Sequence, residues 1–310
     1  MTLCSLNNLE LTPGALAQLA CVLEATARKP GNVHRFRDFD DATYLDFILS
    51  AAAIARPLDN ARTLGVGAAV FAAVESTQRL IATNTNLGMV LLFGPLAAVD
   101  PDESLADGVA SVLESLTIDD AIHAYRAIRL ARPGGLGAAT DQDVARAPTV
   151  TLLDAMRLAA DRDVVARQYA TSYHDLFHFA LPLLVDEFDR GGALESAIVA
   201  CALGVQAEIP DTLIARKRGV DLAREASARA RAVFNLHRSD DPGAAQALAE
   251  FDRWLRDEGR ARNPGATADL VAAALFAALR EGLIQPPFRF EPPSDHAGLC
   301  HLDALRDDNH

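Results

Sequence analysis

Four short segments interrupt the apolar, helix-patterned sequence with residues that can do chemistry. The first begins at Glu24, runs through Arg28-Lys29-Pro30-Gly31-Asn32-Val33-His34-Arg35 and continues to Asp38, Asp40 and Asp41. Cations around a Pro-Gly turn can grip phosphates, because glycine lets the backbone approach a ligand closely. Glu24, Asp38 and Asp41 supply carboxylates that can hold Mg²⁺ or act as a base. The same residues also describe a solvated turn whose cations suit a helix C-terminus.

The second segment is Thr83-Asn84-Thr85-Asn86-Leu87-Gly88. One such side chain caps a helix, so four in a row leave some free to join backbone N–H groups around a phosphate or nucleobase. The third is Asp211-Thr212 with Arg216-Lys217-Arg218-Gly219. Its basic triplet suits a triphosphate, and equally a helix-end charge run. The fourth, Asn263-Pro264-Gly265-Ala266-Thr267-Ala268-Asp269, reads as a turn and cap before an apolar helix. It becomes functional only if that turn faces the other three.

Other candidates are weaker. His174 and His178 stand at the i, i+4 spacing of a metal pair without an HExxH glutamate. His296, Cys300 and His301 lie near the end of the sequence. Gly134-Gly135-Leu136-Gly137 follows a helix rather than a strand, so it is not a dinucleotide fingerprint, and no GxSxG or Walker A sequence is present.

The elements that must position these segments are helices. Thr12-Pro13 predicts an N-cap and first turn, and that helix stops before Lys29-Pro30-Gly31. A second helix is expected over 41–56, ended by Pro57, and a third over about 60–81. The apolar run 87–99 predicts a buried helix. Asp100-Pro101-Asp102-Glu103 and Thr117-Ile118-Asp119-Asp120 each carry the chemistry that opens a helix. A glycine-rich loop is expected over 133–148, and long loops in compact domains are often functional. Further helices follow to 190, then over 194–208, from 211 to a break near Gly219, over 244–260 and over 267–283. No stretch alternates with period 2 and no βαβ unit is present. The expectation is an all-α, single globular multi-helix domain over 1–284 with an irregular, loosely packed C-terminal tail over 285–310.

Composition agrees. Half of the 310 residues are hydrophobic and only 6% are aromatic, a bias toward helix over strand. A net charge of −13 argues against nucleic acid and anionic membranes as partners, though a local basic pocket can still take an anionic ligand. The scattered cysteines Cys4, Cys21, Cys201 and Cys300, and an N-terminus without signal-peptide pattern, point to a reducing, cytoplasmic setting. Alanine-rich helical faces allow a homodimer.

Taken in order, Glu24…Lys29-Pro30-Gly31-Asn32-Val33, Asp38…Asp41, Thr83 to Gly88, Asp211-Thr212…Arg216-Lys217…Gly219 and Asn263-Pro264-Gly265…Asp269 resemble the triphosphoribosyl-dephospho-CoA synthase family over about residues 15–283. The resemblance implies an all-α transferase using ATP and Mg²⁺. In that chemistry an acceptor hydroxyl attacks the ribose anomeric carbon of ATP, adenine leaves, and the triphosphate stays on the transferred sugar. The partners implied are a nucleotide and a small-molecule cofactor precursor. Glu24, Asp38, Asp41 and Asp211 are the implied catalytic carboxylates, with Glu24, Asp41 and Asp211 as metal ligands. The implied nucleotide-binding set is Lys29, Pro30, Gly31, Asn32, Arg35, Thr83, Asn84, Thr85, Asn86, Arg216, Lys217, Asn263 and Asp269. The stretch 132–144 lacks the family's Gly-Glu segment before Phe-Pro, and resembles a divergent branch found beside one-carbon and tetrahydromethanopterin genes. That leaves open a different ATP-dependent step in one-carbon cofactor biosynthesis, and a non-catalytic nucleotide-binding role.

Overall fold

The computed structural model describes residues 11–135, 137, 141–191 and 193–290. Among them fifteen α-helices and one π-helical turn form, and no strand does. The helices are α1 (Pro13–Thr26), α2 (Tyr44–Asp59), α3 (Ala61–Leu64), α4 (Val66–Leu80), α5 (Leu87–Ala98), α6 (Leu105–Glu114), α7 (Ile118–Ala131) and α8 (Leu152–Ala159). They continue as α9 (Val164–Ala170), the π turn (Leu176–Ala180), α10 (Leu181–Gly191), α11 (Leu194–Glu208), α12 (Thr212–Arg218), α13 (Val220–Arg238), α14 (Ala244–Arg256) and α15 (Gly265–Arg280). None is long and apolar enough on its own to cross a membrane.

Local chemistry explains the helix starts. Thr12 caps α1 with Pro13 in its first turn. Thr43–Asp46 and Thr117–Asp120 close reciprocal capping boxes on α2 and α7. Three boundaries depart from the sequence expectation. Helix α2 starts at Tyr44, leaving Asp41 in the preceding loop, and it continues through Pro57 to Asp59, because a proline in the last turn forfeits only one hydrogen bond. Ser104, not Asp100, caps α6; Asp100 to Glu103 instead folds into a turn of its own. The third expected helix divides into α3 and α4 at Gly65, whose φ of 87° only glycine adopts readily.

The core is centred on α5 and α15. Both are apolar on nearly every face, and Phe93 meets Phe276 at 5.3 Å between ring centroids. Pro95 lies inside α5 and has no N–H for the Leu91 carbonyl. The buried Tyr169 hydroxyl donates to that carbonyl at 2.6 Å, and Tyr173 donates to Leu92 at 2.7 Å. Helix α1 packs between α2 and α15, and α4 packs on α2 and α7. A second cluster of buried side chains joins α11 to α13 and α14.

Residues 285–290, expected to begin a loose tail, dock on this body. The carbonyls of Arg289 and Phe290 accept from the N–H groups of Leu194 and Glu195 at 2.6 and 3.0 Å, satisfying the first turn of α11. Residues 291–310, including His296, Cys300 and His301, lie outside the described residues.

Candidate active site

The turn after α1 is built around buried ion pairs. Glu24 is 2% exposed and Lys29 is fully buried, with Lys29 Nζ 2.8 Å from Glu24 Oε1. The same ammonium donates to the Glu24 and Ala27 carbonyls, closing the C-terminus of α1. Lys29 is therefore a support beneath Glu24, not the expected phosphate grip. Burial raises the Glu24 carboxyl above its ordinary range, and the Lys29 charge opposes that rise.

The rest of the turn is pinned from two sides. The wholly buried Glu195 of α11 accepts from the Arg28 guanidinium at 2.9 and 3.0 Å and from Arg35 at 3.1 Å. Asp252 of α14 accepts from the Gly31 N–H at 2.7 Å. Gly31 has φ 74°, and a Cβ there would fall 2.7 Å from Leu255, so only glycine fits. Arg256 joins Asp252 to the Asn32 carbonyl. His34 is crowded by Arg256, Lys29, Arg28 and Arg37; burial and these charges depress its imidazole to about 2.

A cavity of about 620 Å³ opens above this turn. Glu24, Asn32, Val33 and Asp41 contribute from the first segment, Thr83 through Gly88 from the second, Thr212, Arg216 and Lys217 from the third, and Asn263 and Asp269 from the fourth. The two asparagines Asn32 and Asn263, 231 positions apart, join by a 2.7 Å hydrogen bond. All four segments thus face one space.

Arg216, Lys217 and Arg260 are among the cations that line this space. Arg216 is held by Asp163 at 2.6 Å, and Arg260 by Asp41 at 2.8 Å. Lys217 donates to the Arg260 carbonyl at 3.1 Å, and no carboxylate pairs with it among the described residues. Burial and the neighbouring Arg260 lower its ammonium from the ordinary lysine range. Such a cation is placed to accept an anion.

Asp269 and Glu24 line the same space, and the Arg216 charge acts on Asp269. A Cβ built on Gly88 would stand 2.0 Å from Asp269 Oδ2, so the carboxylate occupies the space that the missing side chain leaves. No donor satisfies Asp269 among the described residues. Burial, then the charges of Asp211, Glu24 and Asp163, push its carboxyl well up. Asp211 lies behind the wall. Its Oδ1 caps α12 through the Leu213 and Ile214 N–H groups, and its Oδ2 accepts from the N–H and hydroxyl of Thr267 at 2.7 and 2.9 Å. It fastens the third segment to the fourth.

Several sequence candidates have other roles. Asp38 accepts from the Tyr44 N–H and does not line the cavity. Pro30, Gly31 and Arg35 also stay off its wall. Thr85 bonds to Ser50 at 2.5 Å, and Asn86 reaches Thr77 at 3.3 Å, so these two chiefly anchor the Thr-Asn loop. Asn84 accepts from the Leu87 N–H at 3.2 Å and caps α5. Glu24, Asp41 and Asp211 do not form one ligand set, each being engaged elsewhere. Among the described residues no three His, Cys, Asp or Glu side chains are arranged to hold a metal ion.

Residues 10–287 match the family described as ATP:dephospho-CoA triphosphoribosyl transferase. The chain belongs to that family. A comparison with curated proteins finds no match. Among solved structures, a protein of Archaeoglobus fulgidus provisionally described as a triphosphoribosyl-dephospho-CoA synthase shares the fold, with a TM-score of 0.59 at 23% identity. The match covers 76% of this chain and 99% of that one.

Three charged lining residues of this triphosphoribosyl-transferase-family cavity are not marked by the sequence: Arg162, Asp163 and Arg260. None belongs to a recognisable motif. The only hint was Asp163 before an apolar turn, an N-cap pattern that α9 uses through the Val165 and Ala166 N–H groups. The glycine-rich loop does line the cavity, through Arg132, Pro133, Gly134, Gly137 and residues 141–144. Helix α7 sets its position: the Tyr125 hydroxyl donates to the Gln142 carbonyl at 2.6 Å and Arg129 to the Val144 carbonyl at 2.5 Å.

Proposed function

We propose that this cavity binds ATP and transfers its triphosphoribosyl group to a hydroxyl of a cofactor precursor, dephospho-CoA or a one-carbon cofactor precursor, with release of adenine. The observation that carries this reading is the convergence of four distant segments on one space with Lys217, an ammonium that no carboxylate pairs with, and Asp269, a carboxylate that no protein donor reaches, among the described residues. The triphosphate lies against Lys217, Arg216 and Arg260, and the ribose points toward Asp269 and Glu24.

The acceptor oxygen forms a bond to the anomeric carbon as the bond from that carbon to adenine N9 breaks. The bonding pair leaves with adenine, which takes up a proton, and the acceptor hydroxyl gives one up. Burial and neighbouring carboxylates raise the proton affinity of Asp269, so its ionised form is suited to receive that proton, which assigns the role to it. Glu24, fixed by Lys29, supplies negative charge where the sugar ring becomes oxocarbenium-like. Mg²⁺, when bound with the nucleotide, would supply charge neutralisation at the phosphates and would need one or two protein carboxylates. Asp41, which lines the cavity with a 65% exposed side chain, fits one such position.

Incubating the full chain with ATP, Mg²⁺ and dephospho-CoA, or a pterin-type precursor, and separating the bases tests the reading. Free adenine that depends on acceptor and on Asp269 supports it. ADP or phosphate in place of adenine replaces it with phosphoryl transfer. Intact bound ATP with every acceptor rejects catalysis.

A further inference from the structure

A second concavity lies outside the cavity, between α4 and α7. It is lined by Phe71, Glu75, Gln78 and four arginines, Arg79, Arg126, Arg129 and Arg132, together with Leu130. Four guanidiniums against one carboxylate is an unusual patch on a chain of net charge −13. The C-termini of α4 and α7 meet here, and their dipoles favour cations, which is the ordinary reason for one or two arginines at such ends. Those two dipole ends together amount to about one negative charge. The patch carries three net positive side-chain charges, so the arginines outweigh the dipoles by roughly two.

Their pairing points the same way. Glu75 engages Arg79 at 3.0 Å. The Arg126 Cζ stands over the Phe71 ring, 4.1 Å from its centroid, a contact that leaves the guanidinium N–H groups available. Arg129 uses one nitrogen on the Val144 carbonyl. No carboxylate pairs with Arg126, Arg129 or Arg132 among the described residues. Arg132 occupies the left-handed position after α7, with φ 47°, where glycine is the usual residue. Its side chain is the element common to the groove and the cavity, lining both.

From this arrangement we propose that the groove is a subsite for a phosphate or diphosphate group of the small-molecule acceptor, whose reacting end passes Arg132 into the cavity. Planar guanidinium forks match phosphate oxygens in pairs, which a single point charge does not. The proposal rests on the transferase reading for the word acceptor, and on the groove alone for the phosphate.

The test separates the two. Calorimetric titration of the full chain with inorganic pyrophosphate is compared in wild type, Arg79→Gln/Arg126→Gln and Lys217→Ala. Both groove substitutions lie outside the cavity and on the surface, so the fold is retained. The expected result is a pyrophosphate site that Lys217→Ala keeps and the groove variant loses. In turnover with dephospho-CoA, the groove variant raises the acceptor KM about tenfold at unchanged kcat and ATP KM. Pyrophosphate binding that survives the groove substitutions overturns the proposal even if adenine release is never seen. A raised ATP KM, with acceptor KM unchanged, overturns the acceptor assignment. Absence of turnover with retained, groove-dependent pyrophosphate binding rejects the transferase reading and leaves the phosphate site standing.

Discussion

Lys29 Nζ sits 2.8 Å from Glu24 Oε1, and neither side chain reaches solvent by more than 2%. The lysine of a basic turn thus acts from beneath the cavity floor. Its ammonium holds in place the carboxylate that lines the cavity and closes the last carbonyls of α1 at the same time.

Removing one partner of such a pair strands the other. Lys29→Met is expected to destabilise the fold by about 3–5 kcal/mol, because Glu24 is left buried and unmatched. The double variant Lys29→Met/Glu24→Gln is expected to recover most of that loss, since no uncompensated charge remains. It does not recover adenine release, because the carboxylate itself is gone. Denaturant melts of the three proteins, beside the adenine assay, check both halves. A single variant as stable as wild type contradicts the pairing.

Asp269 gives a pH dependence of definite sign. Its folded carboxyl is raised well above the ordinary 3.8, chiefly by burial and then by Asp211, Glu24 and Asp163. The folded state therefore holds a proton that the unfolded chain releases. Wild-type stability from this group is fully present below 3.8 and is lost as pH rises through the raised value. Asp269→Asn carries no such loss, so its melting temperature should exceed wild type by a margin that grows with pH and then levels off. The same substitution should abolish adenine release. Melts across pH 4 to 9 measure the margin. A gap that shrinks with rising pH contradicts the assignment.

Some of this is legible in the sequence and the rest is not, for physical reasons. Caps are local, so Thr12, Thr117 and Asp211 announced their helices correctly. Helix α11 emerged over 194–208 because its apolar run is bounded by residues that end helices. Ion pairing is not local. Nothing near Arg35 in sequence reveals Glu195, 160 positions away, so a phosphate grip was expected where a structural pair forms. Nor does a KPG turn show that its lysine folds back five residues under Glu24. Asp163 and Arg260 reach the cavity only because α9 and the turn after α14 face it, which is tertiary information. The four converging segments are legible as a set because each combines glycine or asparagine with charged or hydroxyl side chains, a mixture that the apolar core does not need.

Lys217 supplies a binding prediction. Its ammonium has a carbonyl and no carboxylate as partner, and burial already disfavours its charge. Lys217→Met removes that burden along with the proposed grip on phosphate. Stability should change by less than about 1 kcal/mol in either direction, while the ATP KM rises about tenfold or more. Adding salt should weaken ATP binding to wild type more than to the variant, since one fewer charge contact is screened. Equal salt slopes would place the triphosphate elsewhere.

Gly88 is the sharpest geometric test of the role proposed for Asp269. It sits in the first turn of α5 with an ordinary helical backbone, so alanine suits the helix there by about 1 kcal/mol over glycine. A Cβ at that position, however, stands 2.0 Å from Asp269 Oδ2 and 2.4 Å from the carboxylate carbon. The carboxylate is the flexible partner, so it moves and the helix does not. Gly88→Ala is therefore expected to leave the melting temperature within a few degrees of wild type while displacing Asp269 by on the order of 1 Å. A displacement of that size costs about a hundredfold in kcat when the group acts on the reacting atoms. Because both changes act through one carboxylate, Gly88→Ala should add little to the loss already caused by Asp269→Asn. Full activity in Gly88→Ala, or a further hundredfold loss in the double variant, would remove Asp269 from the chemistry and leave it a structural acid.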